Sequence, residues 1–260
     1  MVTAQAPNRV VGGIVAAWLV KGTRGSVEYA VEAICTFSLV FTVGAAVGSA
    51  SPFALLGLGA VLVVMVSTGS QLSGGHYNPA VTLAMLMRRR VAMRDAIAHW
   101  IVQFGSGLLA AVVVRRIVDP AQVSRSAAMN PSSRTLVIAL VLELLFTFAL
   151  CYVVLNVATS ERHSNNSYYG LALGFTVSAG AFAVAAISGR PFNPEASLGT
   201  AVMGMFAWPT LWVYLVAQIL AGLAAGVTFL ALDPTVGEPT WRANPLPDQP
   251  NPTDDDEALR

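Results

Sequence analysis
Two stretches of the chain carry one pattern. SGGHYNPAVTLAMLM runs from Ser73 to Met87, and SGRPFNPEASLGTAV runs from Ser188 to Val202, 115 positions later. The duplication extends beyond these phrases. VEAICTFSLVF (Val31 to Phe41) matches LELLFTFALCY (Leu142 to Tyr152), pairing Glu32 with Glu143 and Thr36 with Thr147 at an offset of 111. QFGSGLLAA (Gln103 to Ala111) matches QILAGLAAG (Gln218 to Gly226), again at 115. A chain built this way must fold as two related halves.

The halves are written for a bilayer. The chain is 55% hydrophobic and 11% charged, against about 25% charged in soluble domains. Six apolar segments, near 28–48, 53–72, 95–118, 135–157, 167–187 and 208–232, have the length a helix needs to cross the hydrocarbon core. Two more, near 79–88 and 194–205, have half that length, and each overlaps one of the repeated phrases. Each half therefore reads as a span with a Glu, a second span, an Asn-Pro half-span and a span with a Gln. Three full spans is an odd number, so the second half enters the membrane upside down. The expected fold is an all-α membrane protein with six transmembrane helices and two re-entrant half-helices in an inverted 3+3 repeat.

The expected domain limits are 1–27 for an N-terminal segment, 28–232 for the membrane domain (repeats 28–118 and 135–232), and 233–260 for a tail. Val10 to Val20 is too short to span and reads as interfacial. The Pro- and acid-rich tail reads as disordered. With the N-terminus inside, ten of the fifteen basic residues fall on the inner side, Arg88, Arg89 and Arg90 among them. The positive-inside rule then places both termini in the cytoplasm.

Pro is at home in the first helical turn, and Asn is a strong N-cap. Asn78-Pro79 and Asn193-Pro194 therefore each begin a half-helix. Entering from opposite faces, the two N-termini meet near the midplane. Their positive ends disfavour cations there, and the Asn amides can donate to a passing solute. Glu32 and Glu143 are ionisable groups inside spans. They read as acceptors for the backbone of the re-entrant loops, with proton relay as the alternative; Gln103 and Gln218 read alike. Cys35 and Cys151 read as buried free thiols. No two of His76, His99 and His163 have ligand spacing, so no metal site is expected. No cofactor, nucleotide loop or nucleophile–base pair is legible, which argues against an enzyme. A net charge of +1 implies no nucleic-acid partner.

With these motifs the chain resembles the aquaporin (major intrinsic protein) family. Glu32 with Thr36, SGGHYNPAVT, Gln103, Glu143 with Thr147, and Ser188-Gly189 with Asn193-Pro194 carry the likeness, over about residues 28–232. The resemblance implies a homotetramer in the lipid bilayer, with a pore in each protomer, passing water or small neutral solutes. It implies pore motifs at Asn78, Pro79, Ala80 and at Asn193, Pro194, Glu195, with His76, Gly74, Gly75, Ser188 and Gly189 along the loops. It places an outer filter at Leu58, Ala181, Arg190 and Ala196.

Two departures stand out. Ala196 stands where most members carry Arg, and Glu195 stands where they carry Ala. Arg190 either supplies the displaced guanidinium or snorkels outward. Glu195 either caps the half-helix, pairs with Arg190, or places a carboxylate in the pore. Leu58 and Ala181 are smaller than the residues of a water-only filter, so the expected cargo includes glycerol or urea beside water. The alternatives are a strictly water-selective channel, a non-conducting structural protein, and a secondary transporter of the same inverted-repeat type. The plain layout is consistent with a bacterial plasma membrane.

Overall fold
The computed structural model describes residues 24–49, 51–118, 133–160, 166–188, 191–205 and 207–233. The interfacial stretch 10–20, the tail beyond 233, Gly189 and Arg190 lie outside the described residues. Among the described residues eight α-helices follow one another: α1 Arg24–Gly48, α2 Ala54–Ser73, α3 Pro79–Met87, α4 Met93–Ile117, α5 Ser133–Thr159, α6 Tyr169–Ser188, α7 Pro194–Met203 and α8 Leu211–Leu232. Five of the six long helices are long and apolar enough to cross a membrane. The sixth, α6, has the 20 residues of α2, about 30 Å of helix. The short helices α3 and α7 have 9 and 10 residues, so the pair placed end to end makes about one bilayer-core thickness.

The packing exchanges the halves. α1 packs on α2 and α4, as α5 packs on α6 and α8. Each half-helix leaves its own repeat: α3 lies against α8, and α7 lies against α4. Large apolar side chains such as Ile101, Phe175, Phe182 and Trp212 stay exposed on the outside of the bundle. Lipid is as apolar as they are, so burial by water exclusion is not what holds these helices together; close packing and internal hydrogen bonds are.

The tightest approach lies between α2 and α6. A Cβ on Gly59 would strike the Ser178 Oγ and the Gly174 carbonyl oxygen; one on Gly174 would strike Val63 and the Gly59 carbonyl oxygen. These glycines are themselves 115 positions apart, so the helices cross at their own repeat-equivalent residues. Backbone cannot step aside as a side chain can. Gly174→Ala is expected to cost about 1–3 kcal/mol by overpacking, read as a lowered thermal midpoint in detergent, whereas Gly105→Ala, which meets nothing within 4 Å, leaves the midpoint in place.

Candidate functional site: the meeting point of the half-helices
The loops leading into α3 and α7 have the same geometry. Asn78 sits at φ −162°, ψ 121° and Asn193 at φ −160°, ψ 119°, each followed by Pro in the first turn. The Asn78 Oδ1 accepts from the Ala80 N–H at 2.8 Å, and the Asn193 Oδ1 from the Glu195 N–H at 3.3 Å. Each thus satisfies one of the donors a helix start leaves open.

The residue before each Asn is left-handed: Tyr77 at φ 47° and Phe192 at φ 43°. Bulky aromatic residues seldom adopt this conformation, and it persists only where its surroundings over-determine it. Both sides of the peptide are held here. The Tyr77 N–H donates to Glu32 Oε1 at 2.6 Å, and the Phe192 N–H donates to Glu143 Oε2 at 3.1 Å. The carbonyls are claimed by the opposite half. Asn78 Nδ2 donates to the Phe192 oxygen at 2.9 Å, and Asn193 Nδ2 donates to the Tyr77 oxygen at 3.0 Å.

Behind the loops lie matching polar clusters. Gln103 Nε2 donates to Glu32 Oε1 at 2.7 Å and to Thr82 Oγ1 at 2.9 Å. Gln218 Nε2 donates to Glu143 Oε2 and to Ser197 Oγ, both at 2.9 Å. Glu32, Glu143, Gln103 and Gln218 are fully buried, where polar groups stand only if partnered.

The repeat breaks at one position of the motif. A Cβ on Gly222 would meet the Ala80 carbonyl oxygen at 2.6 Å; at the equivalent Gly107 it would meet the Glu195 Cγ at 3.0 Å. Glu195 therefore fills the space beside α4. Its Oε1 accepts from Asn193 Nδ2 at 2.8 Å, and its Oε2 has no hydrogen-bond partner among the described residues. An amide nitrogen carries two hydrogens. Both of those on Asn193 are used, one by Tyr77 and one by Glu195. Asn78 commits one, to Phe192.

A narrow cavity of about 60 Å³ runs past this meeting point, with room for a few waters. His76, Asn78, Asn193 and Ala196 line it, with apolar walls that include Leu58 and Val154. Ala181 is fully buried but outside that lining, as is Glu195. Gly74 and Gly75 turn the chain out of α2 at φ 82° and 70°, and Ser188 ends α6.

The linear spacing of the histidines predicts no metal ligand set. The fold nonetheless brings Glu32, His76 and His99 together, with possible ligand atoms within 4.8 Å of one another. His99 lies on α4 and its partner Glu28 on α1, so no motif within one segment announces them; only the inward face they share with Gln103 and Glu32 could have.

Glu143→Leu strips the Phe192 N–H and Gln218 of their shared acceptor. It is expected to destabilise the fold by about 2–3 kcal/mol, measured as loss of thermal stability in detergent, with Glu143→Gln milder because its carbonyl oxygen still accepts.

A family model described as "Major intrinsic protein" matches residues 48–229. The chain is 33% identical over 204 residues to the glycerol uptake facilitator protein-like 6 of Lactiplantibacillus plantarum, an alignment covering 76% of this chain and 94% of that one. It is 32% identical over 188 residues to aquaporin TIP1-2 of Musa acuminata, covering 70% of this chain and 73% of the relative. Its fold matches the crystal structure of the Plasmodium falciparum aquaglyceroporin with a TM-score of 0.68 at 18% identity, over 82% of this chain and 98% of the other. An inverted pair of half-helices joined through reciprocal Asn–carbonyl bonds, matched by a family model over most of the membrane domain, makes this chain a member of the major intrinsic protein family.

Proposed function
We propose that the chain is a passive channel through which water and small uncharged solutes of the glycerol class cross the membrane. The observation that carries this reading is the narrow cavity at the joined half-helix N-termini. Its walls are largely apolar, and among the described residues the polar side chains in its lining are His76, Tyr77, Asn78 and Asn193. A hydroxylic solute entering such a file loses water partners and needs replacements. The second N–H of Asn78 supplies one. Both helix starts aim their positive ends at the same spot, which disfavours cations. No covalent step is required.

Leu58 and Ala196 in the cavity wall support a filter broad enough for a carbon chain. Arg190 is the nearest sequence candidate for the guanidinium that the family carries at the position of Ala196. The similarity to a glycerol uptake facilitator protein and to an aquaporin supports the same pair of cargoes. We assign the protein to the plasma membrane of a bacterium on its plain layout, with both described ends inside on the distribution of basic residues. We assign it a homotetrameric state from its family.

Glu195 gives this pore a single free amide donor where two stand in a symmetric motif. Glu195→Ala returns the second N–H of Asn193 to the cavity. With one added hydrogen bond worth about 1 kcal/mol, water permeability is expected to rise about fivefold. An unchanged permeability in a correctly folded variant would mean that the Asn193 amide does not limit passage.

Stopped-flow light scattering on proteoliposomes facing an inward glycerol gradient tests the cargo. Shrinkage reports water leaving; re-swelling reports glycerol entering. Both phases are expected to accelerate over empty vesicles. Leu58→Phe is expected to slow re-swelling while shrinkage stays fast. Acceleration of shrinkage alone in the unaltered protein would assign a water-only channel, and acceleration of neither would overturn the reading.

A further inference from the structure
At the end of the bundle where α1 and α4 begin, the first repeat gathers four ionisable side chains around one spot, three of which the second lacks. Glu28, His76 and His99 correspond to Ala139, Pro191 and Tyr214. Glu32 corresponds to Glu143, but among the described residues imidazoles stand beside Glu32 and not beside Glu143. The His76 and His99 rings lie 4.5 Å apart between centroids. His99 Nε2 is 2.9 Å from Glu28 Oε1, and its Nδ1 is 3.5 Å from Glu32 Oε1. Glu32, His76 and His99 are each at most 4% exposed.

The hydrogen bonds decide which atoms are open. With the Thr82 hydroxyl proton assigned to the Asn78 carbonyl at 3.1 Å, His76 Nδ1 is assigned as the donor to Thr82 Oγ1 at 3.2 Å. A neutral His76 then keeps its lone pair on Nε2. His99 gives its Nε2 proton to Glu28, which leaves the lone pair of a neutral ring on Nδ1, facing a carboxylate. Among the described residues His99 Nδ1 and Glu32 Oε2 are buried without a hydrogen-bond partner. A lone pair and a carboxylate oxygen do not share a buried space unless a positive charge lies between them. That charge is either a second proton on the ring or a cation.

We propose that Glu32, His76 and His99 bind a divalent transition-metal ion of the zinc class, and that the bound ion closes the pore at His76. Two imidazoles and a carboxylate suit such ions. Glu28 on the far nitrogen of His99 is the supporting carboxylate that orients a ligating imidazole. With both rings neutral, the two carboxylates balance a charge of +2. Ligands at about 2.0–2.1 Å from a tetrahedral ion lie about 3.4 Å apart, so the three ligand atoms, now within 4.8 Å of one another, must draw together for the ion to bind. His76 lines the cavity. The ion therefore enters from the pore and leaves its fourth position toward it.

The closing of the pore rests on the channel reading; the binding does not. Binding is read on the full-length protein in detergent, with Co(II) as the probe and Zn(II) as its competitor. We expect one Co(II) per protomer with the visible absorption of a tetrahedral site, discharged by Zn(II). His76→Gln and His99→Gln should abolish that band. Glu28→Gln, which leaves all three ligands, should weaken affinity about 10–100-fold. His163→Gln should change nothing. No tetrahedral band in the unaltered protein, or a band retained in both His76→Gln and His99→Gln, overturns the site and leaves the ring's second proton as the charge. If one of these two variants fails to fold, the Glu28→Gln shift decides.

Closing is read as the ratio of water permeability with and without Zn(II) in proteoliposomes. A reversible loss of most of the permeability, restored by a chelator and absent in Glu28→Gln at the same concentration, is expected. An unchanged ratio with Co(II) binding intact overturns the closing alone. Vesicles that conduct nothing in either state would instead count against the channel reading.

Discussion
The structure depends on one exchange of hydrogen bonds. Asn78 donates to the carbonyl before Asn193, and Asn193 donates to the carbonyl before Asn78. Each bond fixes a helix start from one half of the chain onto a loop from the other. The exchange demands that Tyr77 and Phe192 turn their carbonyls across the interface, and the left-handed φ of both residues follows from it. That turn points their N–H groups away from the meeting point, toward Glu32 and Glu143. In an apolar surrounding an amide without an acceptor is costly, so the carboxylates must be there. They in turn need Gln103 and Gln218 behind them.

The sequence foretells this scaffold because the scaffold is symmetric. The offset of 115 recurs in the Asn-Pro pair, in the Gln residues, in the left-handed residues and in the glycines where α2 crosses α6. An odd number of spans per half requires inversion, and the half-length of the Asn-Pro segments requires that they meet. The cross-strapping of each half-helix onto the other repeat was not legible, since nothing in a local window says that Gly222 faces Ala80. The role of Tyr77 and Phe192 was hidden for a different reason. It resides in their backbone, and the residue type before Asn carries no signal for a left-handed turn. Side-chain size at the filter depends on helix register: a count along the chain places both Leu58 and Ala181 there, whereas in the structure Leu58 lines the cavity and Ala181 lies outside its lining.

What the symmetry does not cover is where this chain is individual. The second repeat puts Glu195 where the first has Ala80. The first puts Glu28, His76 and His99 where the second has Ala139, Pro191 and Tyr214. The departures bury His76, His99 and Glu195 and leave Glu28 half-buried, and the other repeat builds the same scaffold without them. Glu195 fits because Gly107 leaves room for it, and its carboxyl oxygen diverts a hydrogen of the amide that faces the pore.

The two departures act on different stretches of the same file. Glu195 changes how many donors a solute meets at the midpoint, so its effect falls on every solute that needs a hydrogen bond there. The Glu28–His99–Glu32 cluster acts through His76, which reaches the cavity between that midpoint and the end where α1 begins. A solute crossing the pore passes both in series, and resistances in series add. Relieving the midpoint therefore raises flux only while the His76 level stays open. An ion held there would mask any gain from Glu195→Ala. Permeabilities of Glu195→Ala and the unaltered protein are comparable only with chelator present, and a gain that grows on adding chelator would locate the larger resistance at His76.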